Sequence, residues 1–285
     1  MRRLVCCSSV FLAAVLALPA WSQAPAAVEP ASPPLLEHIY QQIEKRERPT
    51  QLPGLSTSAN SALASSSLID FMGTRTQLRQ LGPKAYPLAP RIAELLAKSE
   101  KNQYDLAWIL FEMTVQEDDS QATTNNAIAR YRAESGFGKL AQLAKLGKIR
   151  SSAVVPELQA AATDSAPTTR LMAIIGLAYA GASVPDKAAA TLGKALSDTE
   201  KFNRSAAANS LRLLGSRAET ATPALIDYLK TRDNVYQAAG ALNLMPIAAV
   251  RPAKPELENI LGDSKLTEFQ KRDVVNLLVR MESEK

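Results

Sequence analysis

One interval dominates this chain of 285 residues. Gly82, Met113, Gly147, Gly181, Gly215, Pro246 and Met281 follow one another at steps of 31, 34, 34, 34, 31 and 35. Four residues before each stands Leu78, Ile109, Leu143, Leu177, Leu211, Leu242 or Leu277. Seven residues before them stand Arg75, Leu106, Leu140, Ile174, Ala208, Ala239 and Val274, apolar at all but the first. Apolar residues three apart share one helical face, so one amphipathic helix is written seven times. An interval of this size is the signature of stacked supersecondary units.

A second helix accompanies the first. Pro90-Arg-Ile92, Pro156-Glu-Leu158, Pro223-Ala-Leu225 and Pro255-Glu-Leu257 each open one. Proline suits the first helical turn, where its missing N–H costs nothing. Four of the seven spacing residues are Gly, as expected of left-handed helix caps. Asp164, Asp198, Asp233 and Asp263 mark short polar turns that lead into the next helix. A helix–turn–helix unit of about 34 residues cannot bury its apolar face alone. Stacking makes one continuous core, so the expected fold is all-α, a right-handed α-solenoid of six to seven helical hairpins. No run alternates strictly enough to read as a strand.

The pattern in Asn203-Arg-Ser-Ala-Ala-Ala-Asn-Ser-Leu-Arg-Leu-Leu-Gly215, followed by Thr222-Pro-Ala-Leu-Ile226, resembles HEAT repeats. The short variety named after phycobilisome lyases is the most similar. The resemblance covers residues 62–283 and implies an α–α superhelix that binds protein partners. It implies no lyase chemistry, because no chromophore-attachment motif is present. The helix signature of TPR repeats, which share the interval, is absent.

The first residues read as an address. Arg2 and Arg3 precede an apolar run from Leu4 to Leu18, which Pro19 breaks. That run is short for a membrane span and suits a secretory signal, with cleavage expected after Ala26 rather than Ala24. Cys6 and Cys7, the only cysteines, lie inside it. The mature chain is therefore expected in the periplasm, without disulfide or thiolate chemistry. Removing Arg2 and Arg3 leaves 31 basic against 28 acidic residues. So small an excess gives no reason to expect nucleic acid as a partner. Residues 27–34 read as a Pro/Ala-rich tether, 35–48 as an isolated helix with Leu36, Ile39, Tyr40 and Ile43 on one face, 49–61 as a linker, and 62–285 as the repeat domain.

Catalytic equipment is sparse. His38 is the only histidine. There is no HExxH, GxSxG, SxxK or Walker loop. Gly136-Phe-Gly138 has no strand before it. Glu117, Asp118 and Asp119 read as a solvated turn before a helix, with weak Ca²⁺ binding as the alternative. No cofactor, metal or enzymatic activity is expected.

If the residue four before each spacing position faces the core, those five, nine and twelve before it face the opposite, inner side. There the expected partner-binding residues are Tyr104, Trp108, Gln142, Met172, Asn203, Gln237 and Arg272. Tyr104 and Trp108, four apart, are the natural anchors, the alternative being that they pack under the N-terminal helix or a neighbouring repeat. The apolar positions two before, Phe111, Tyr179, Leu213, Leu244 and Val279, interrupted by Lys145, read as helix–helix core. Residues 130–150 carry Arg130, Arg132, Lys139, Lys145, Lys148 and Arg150 against Glu134 alone, which reads as a solvated face, with contact to an acidic protein or anionic lipid as the alternative. The expected function is an exported scaffold presenting its concave surface to a protein. The alternatives are an inhibitor or immunity-type binder of an exported enzyme or toxin, and a ligand or catalytic pocket.

Overall fold

The computed structural model describes residues 31, 33–47, 77–78, 80–99, 102–115 and 118–284. The residues read as a signal segment, those read as the linker 49–61, Arg75 and Glu117 lie outside the described residues, as do most of those read as a tether. Every element among the described residues is helical. Helix α1 spans Pro33–Glu47, α2 Ala89–Lys98, α3 Gln103–Met113, α4 Gln121–Ala133, α5 Gly136–Lys148, α6 Val155–Ala161 and α7 Pro167–Ala180. Then come α8 Pro185–Ala195, α9 Lys201–Leu214, α10 Thr222–Lys230, α11 Val235–Leu242, the single turn α12 Ile247–Val250, α13 Lys254–Gly262 and α14 Glu268–Ser283.

The hairpins α2–α3, α4–α5, α6–α7, α8–α9, α10–α11 and α13–α14 form an α-solenoid. Helices α5, α7, α9, α11 and α14 pack side by side as a close inner layer, and the first helices of the later hairpins, α6, α8, α10 and α13, form a looser outer one. All seven periodic Leu/Ile residues are buried, the most exposed being Leu78 at 2%. Leu106, Leu140, Ile174, Ala208, Ala239 and Val274 are buried with them. Pro opens α2, α6, α7, α8, α10 and α13 at the first or second helical position. Ser120 caps α4, and Thr267 with Gln270 forms a capping box on α14.

The glycines at the spacing positions do two different jobs. Gly82 and Gly215 have φ of +50° and +62° and make left-handed turns. Gly147 and Gly181 have no positive φ. A Cβ on Gly147 would meet the Gly176 backbone, and one on Gly181 would collide with Ala188. There the missing side chain permits close helix approach, so the cap expectation holds at two of the four.

The turn aspartates tie the units together. Arg170 on α7 makes a two-pronged contact with Asp198, Nε to Oδ2 at 2.7 Å and Nη2 to Oδ1 at 2.9 Å. Its Nη1 donates to the carbonyls of Asp164 and Ser165. Arg204, one unit later, pairs with Asp233 and donates to the Asp198 and Thr199 carbonyls. Lys139 reaches Asp164 at 3.6 Å. Each rung joins an inner helix to the turn of the next unit.

Helix α1 is not isolated. Leu36, Ile39, Tyr40 and Ile43, the expected face, are all buried. Arg91 of α2 lies 3.3 Å from the Tyr40 ring centroid and pairs with Glu37 at 2.5 Å. The backbone N–H of Ala31 donates to the Lys84 carbonyl.

Candidate functional site

The inner layer is regular from α5 to α14 and irregular before it. Helix α2 packs against α5, where a preceding inner helix would stand. Helix α3 touches α5, α7 and α9 together. A helix that continued the layer would reach only its nearest neighbour, so α3 lies across the inner face. Phe111, near its C-terminus, packs on Tyr179 at 4.7 Å between ring centroids and against Gly147. Trp108 stands edge-on to Tyr179 at 6.4 Å and to Phe111 at 6.1 Å. Near the other end, the Tyr104 hydroxyl accepts from Gln237 Nε2 of α11 at 3.5 Å. Six consecutive residues, Leu106 to Phe111, are buried. A helix apolar on every side must be covered on every side, and that was the legible sign of this placement.

The crossing helix corrects the expected partner face. Trp108 is 4% exposed, Gln142 2%, and Met172 and Asn203 fully buried. None of these four can anchor a partner on the folded chain. Asn203 Nδ2 instead donates to the Pro167 carbonyl at 3.2 Å. Tyr104 and Gln237 are half-buried against each other. Arg272 alone of the seven is well exposed, its Nη2 donating to the Tyr236 hydroxyl at 3.0 Å. The structure therefore gathers Tyr104, Trp108 and Gln237 under or beside α3 and leaves Arg272 apart. Trp108 Nε1, Gln142 Oε1, Asn203 Oδ1 and Gln237 Oε1 are buried without a hydrogen-bond partner, so the covered floor keeps polar character.

Beyond α3 the same face is open. The position two before each spacing residue lies about 200° from the core-facing one, hence on the inner side. Its occupants are not uniformly core. Lys145 is buried with Nζ 5.2 Å from the Tyr86 ring, and Tyr179 is half-covered. Leu213 is then 40% exposed, Leu244 48% and Val279 63%. Exposure rises with distance from α3. Near the N-terminal ends of α11 and α14, Tyr236 stacks on Phe269 at 5.0 Å, and the Arg272 guanidinium lies over both rings. Tyr236 was not legible as a surface residue, and Leu213, Leu244 and Val279 were read as core because periodicity cannot say which turns of a face another helix covers.

The basic segment is mostly spent on internal contacts. Arg132 pairs with Glu157 at 2.5 Å, and Lys148 Nζ lies 4.4 Å from the Phe111 ring centroid. Burial pulls the Lys148 ammonium below its ordinary value, with the Glu112 carboxylate opposing. Arg130 and Arg150 are exposed without an ion-pair partner among the described residues. Asp118 accepts from the Ser120 N–H at 2.8 Å and from Thr123 Oγ1 at 2.9 Å, and these bonds hold its carboxyl below the ordinary value. Asp119 accepts from the Arg150 N–H. The acidic turn caps α4.

Among the described residues no three His, Cys, Asp or Glu side chains converge as a metal site would require. None of the helices described is long and apolar enough to cross a membrane. An open depression of about 620 Å³ lies between the starts of α8 and α10, lined by Asp186, Arg217, Glu219 and Thr222 among others.

Residues 155–245 match the family described as HEAT repeats. They run from α6 into the turn after α11 and include the uncovered part of the inner face at Leu213 and Leu244. No curated protein matches the chain.

Proposed function

We propose, proceeding from the HEAT repeats at residues 155–245, that this chain is an exported, periplasmic scaffold that binds a protein partner. It acts by presenting surface and catalyses no reaction of its own. The repeats are of the short variety named after phycobilisome lyases. The carrying observation is the row of Leu213 on α9, Leu244 in the turn after α11 and Val279 on α14, exposed at one repeat position in three adjacent units. Large apolar side chains aligned on one face and left in water mark an interaction surface. The aromatic–arginine cluster of Tyr236, Phe269 and Arg272 at the starts of α11 and α14 has the composition of an interface hot spot. The partner therefore sits on the C-terminal half of the inner face, since α3 fills the other half. The Arg2–Ala26 segment supports export by its charge, its short apolar run and its small residues at the cleavage point.

Expression of the full chain with a C-terminal tag, followed by fractionation, tests both parts. The expected result is a periplasmic product beginning at Ala27. A photo-crosslinking side chain in place of Leu244 should trap a protein there, and one in place of exposed Glu219 should not. A cytoplasmic, uncleaved product would end the export reading. Equal trapping at both positions would end the surface assignment.

A further inference from the structure

The open stripe continues a surface that already holds a helix, and this names its occupant. Phe111 and Trp108 of α3 sit on Tyr179 of α7, the residue at the same register as Leu213, Leu244 and Val279. The ground next to α3 is thus built like the ground beneath it. Resting on the partner-binding reading above, we infer that the stripe receives an amphipathic helix of the partner, laid beside α3 across α9, α11 and α14.

The dimensions agree. Packed helices stand about 8–10 Å apart. Seven residues of helix rise about 10.5 Å at 1.5 Å per residue. A helix crossing the inner layer thus brings residues seven apart over successive stripe positions, with those three or four along filling between them. Tyr104, Trp108 and Phe111 of α3 show this i, i+4, i+7 spacing.

Charge at the seat is balanced. Arg212 is next to Leu213, and Arg272 on α14 is offset by the neighbouring Asp273. Asp273 lies 3.4 Å from the Arg272 guanidinium, and its carboxylate and the Arg212 stem both flank Gly240. The docking face of the partner helix is accordingly apolar and aromatic rather than acidic. Its binding should be nearly indifferent to ionic strength.

The probe is a fluorescein-labelled peptide copying residues 102–114 with Trp108→Phe and a lysine tail for solubility, added to the full chain. Anisotropy should report saturable binding that changes less than about twofold between low and high salt. Leu244→Glu and Val279→Glu, both at exposed positions, should each weaken it by about tenfold or more without moving the melting temperature, since a charge would enter an apolar contact. Hydrogen exchange across residues 103–113 of the protein should stay as slow as before. The inference is overturned by no binding, by binding that ignores both substitutions, by strong salt dependence, or by accelerated exchange in α3, which would mean that the peptide had taken the seat of α3. Should the peptide fail while crosslinking at Leu244 still traps a protein, the helix is rejected and the partner surface stands.

Discussion

Gly147 and Gly176 bring α5 and α7 so near that a methyl group on Gly147 would lie 2.5 Å from the Gly176 Cα. The same methyl would lie 2.8 Å from the Phe111 ring of α3. Three helices therefore meet at one missing side chain. It is the point at which the inner layer and the helix crossing it are held in register.

Gly147→Ala sets two effects against each other. Helix propensity favours Ala by about 1 kcal/mol. Overpacking against backbone costs about 1–3 kcal/mol, and neither Gly176 nor the trapped ring can retreat. A net loss of up to about 2 kcal/mol is expected in denaturant unfolding. Gly193 of α8 is the control. A methyl there meets Ala224 and Ala221 at 3.6 and 3.7 Å, ordinary contact. Gly193→Ala should stabilise the fold by up to about 1 kcal/mol. Loss of stability in both would show that packing at Gly147 is not the cause.

The Arg170–Asp198 rung predicts acid sensitivity of known sign. Burial alone would raise the Asp198 carboxyl, but the Arg170 fork and the Glu200 N–H outweigh it and hold the group below its ordinary value. A depressed carboxylate contributes stability that is fully present above the unfolded-state value near 3.9. That contribution is lost as pH falls through the lower, folded-state value. Asp198→Asn should therefore be less stable than the parent at pH 7, with the gap closing as pH drops below about 4. Removing one partner leaves the other charge half-buried, so Arg170→Ala should cost about 3 kcal/mol. A gap that widened in acid would contradict the assignment.

Much of this architecture could be read from spacing, because a repeat announces its core. Leu78 through Leu277 are buried as their period requires, and the α1 face is buried as its amphipathicity requires. The turn aspartates stand where polar turns were expected. What spacing could not supply was the identity of the surface laid on each face. Polar or small residues such as Gln142, Asn203 and Ser210 mark a side that is not core between the two layers. They do not reveal that a helix from the first hairpin covers that side. Leu213 and Tyr179 occupy the same repeat position, yet only one lies beneath α3. Coverage depends on how far an 11-residue helix reaches, which is a tertiary quantity.

Helix α1 should owe its docking to apolar contact rather than to its visible ion pair. Ile43 is fully buried and Ile39 is 1% exposed. Ile43→Ala should cost about 2–4 kcal/mol if α1 unfolds with the rest, or detach α1 alone if it does not. Limited proteolysis separates the two outcomes. Glu37 and Arg91 have side chains 48% and 41% exposed, and exposed pairs contribute little. Glu37→Gln should leave the melting temperature nearly unchanged. A large shift from Glu37→Gln, with none from Ile43→Ala, would reverse this ranking.

Trp108 distinguishes a structural aromatic from a binding one. It is enclosed by Tyr104, Phe111 and Tyr179, and its removal leaves a cavity where α3 meets α7. Trp108→Ala should cost about 3–5 kcal/mol, lowering the melting temperature by on the order of 10 °C. Its indole N–H has no hydrogen-bond partner, so Trp108→Phe forfeits packing area but no bond and should cost distinctly less. Below its own melting temperature, the Trp108→Phe chain should bind the helical probe with the affinity of the parent, because the open stripe at Leu213, Leu244 and Val279 is unchanged. If Trp108→Phe instead weakened binding while the fold stayed intact, the aromatic cluster under α3 would itself belong to the partner surface.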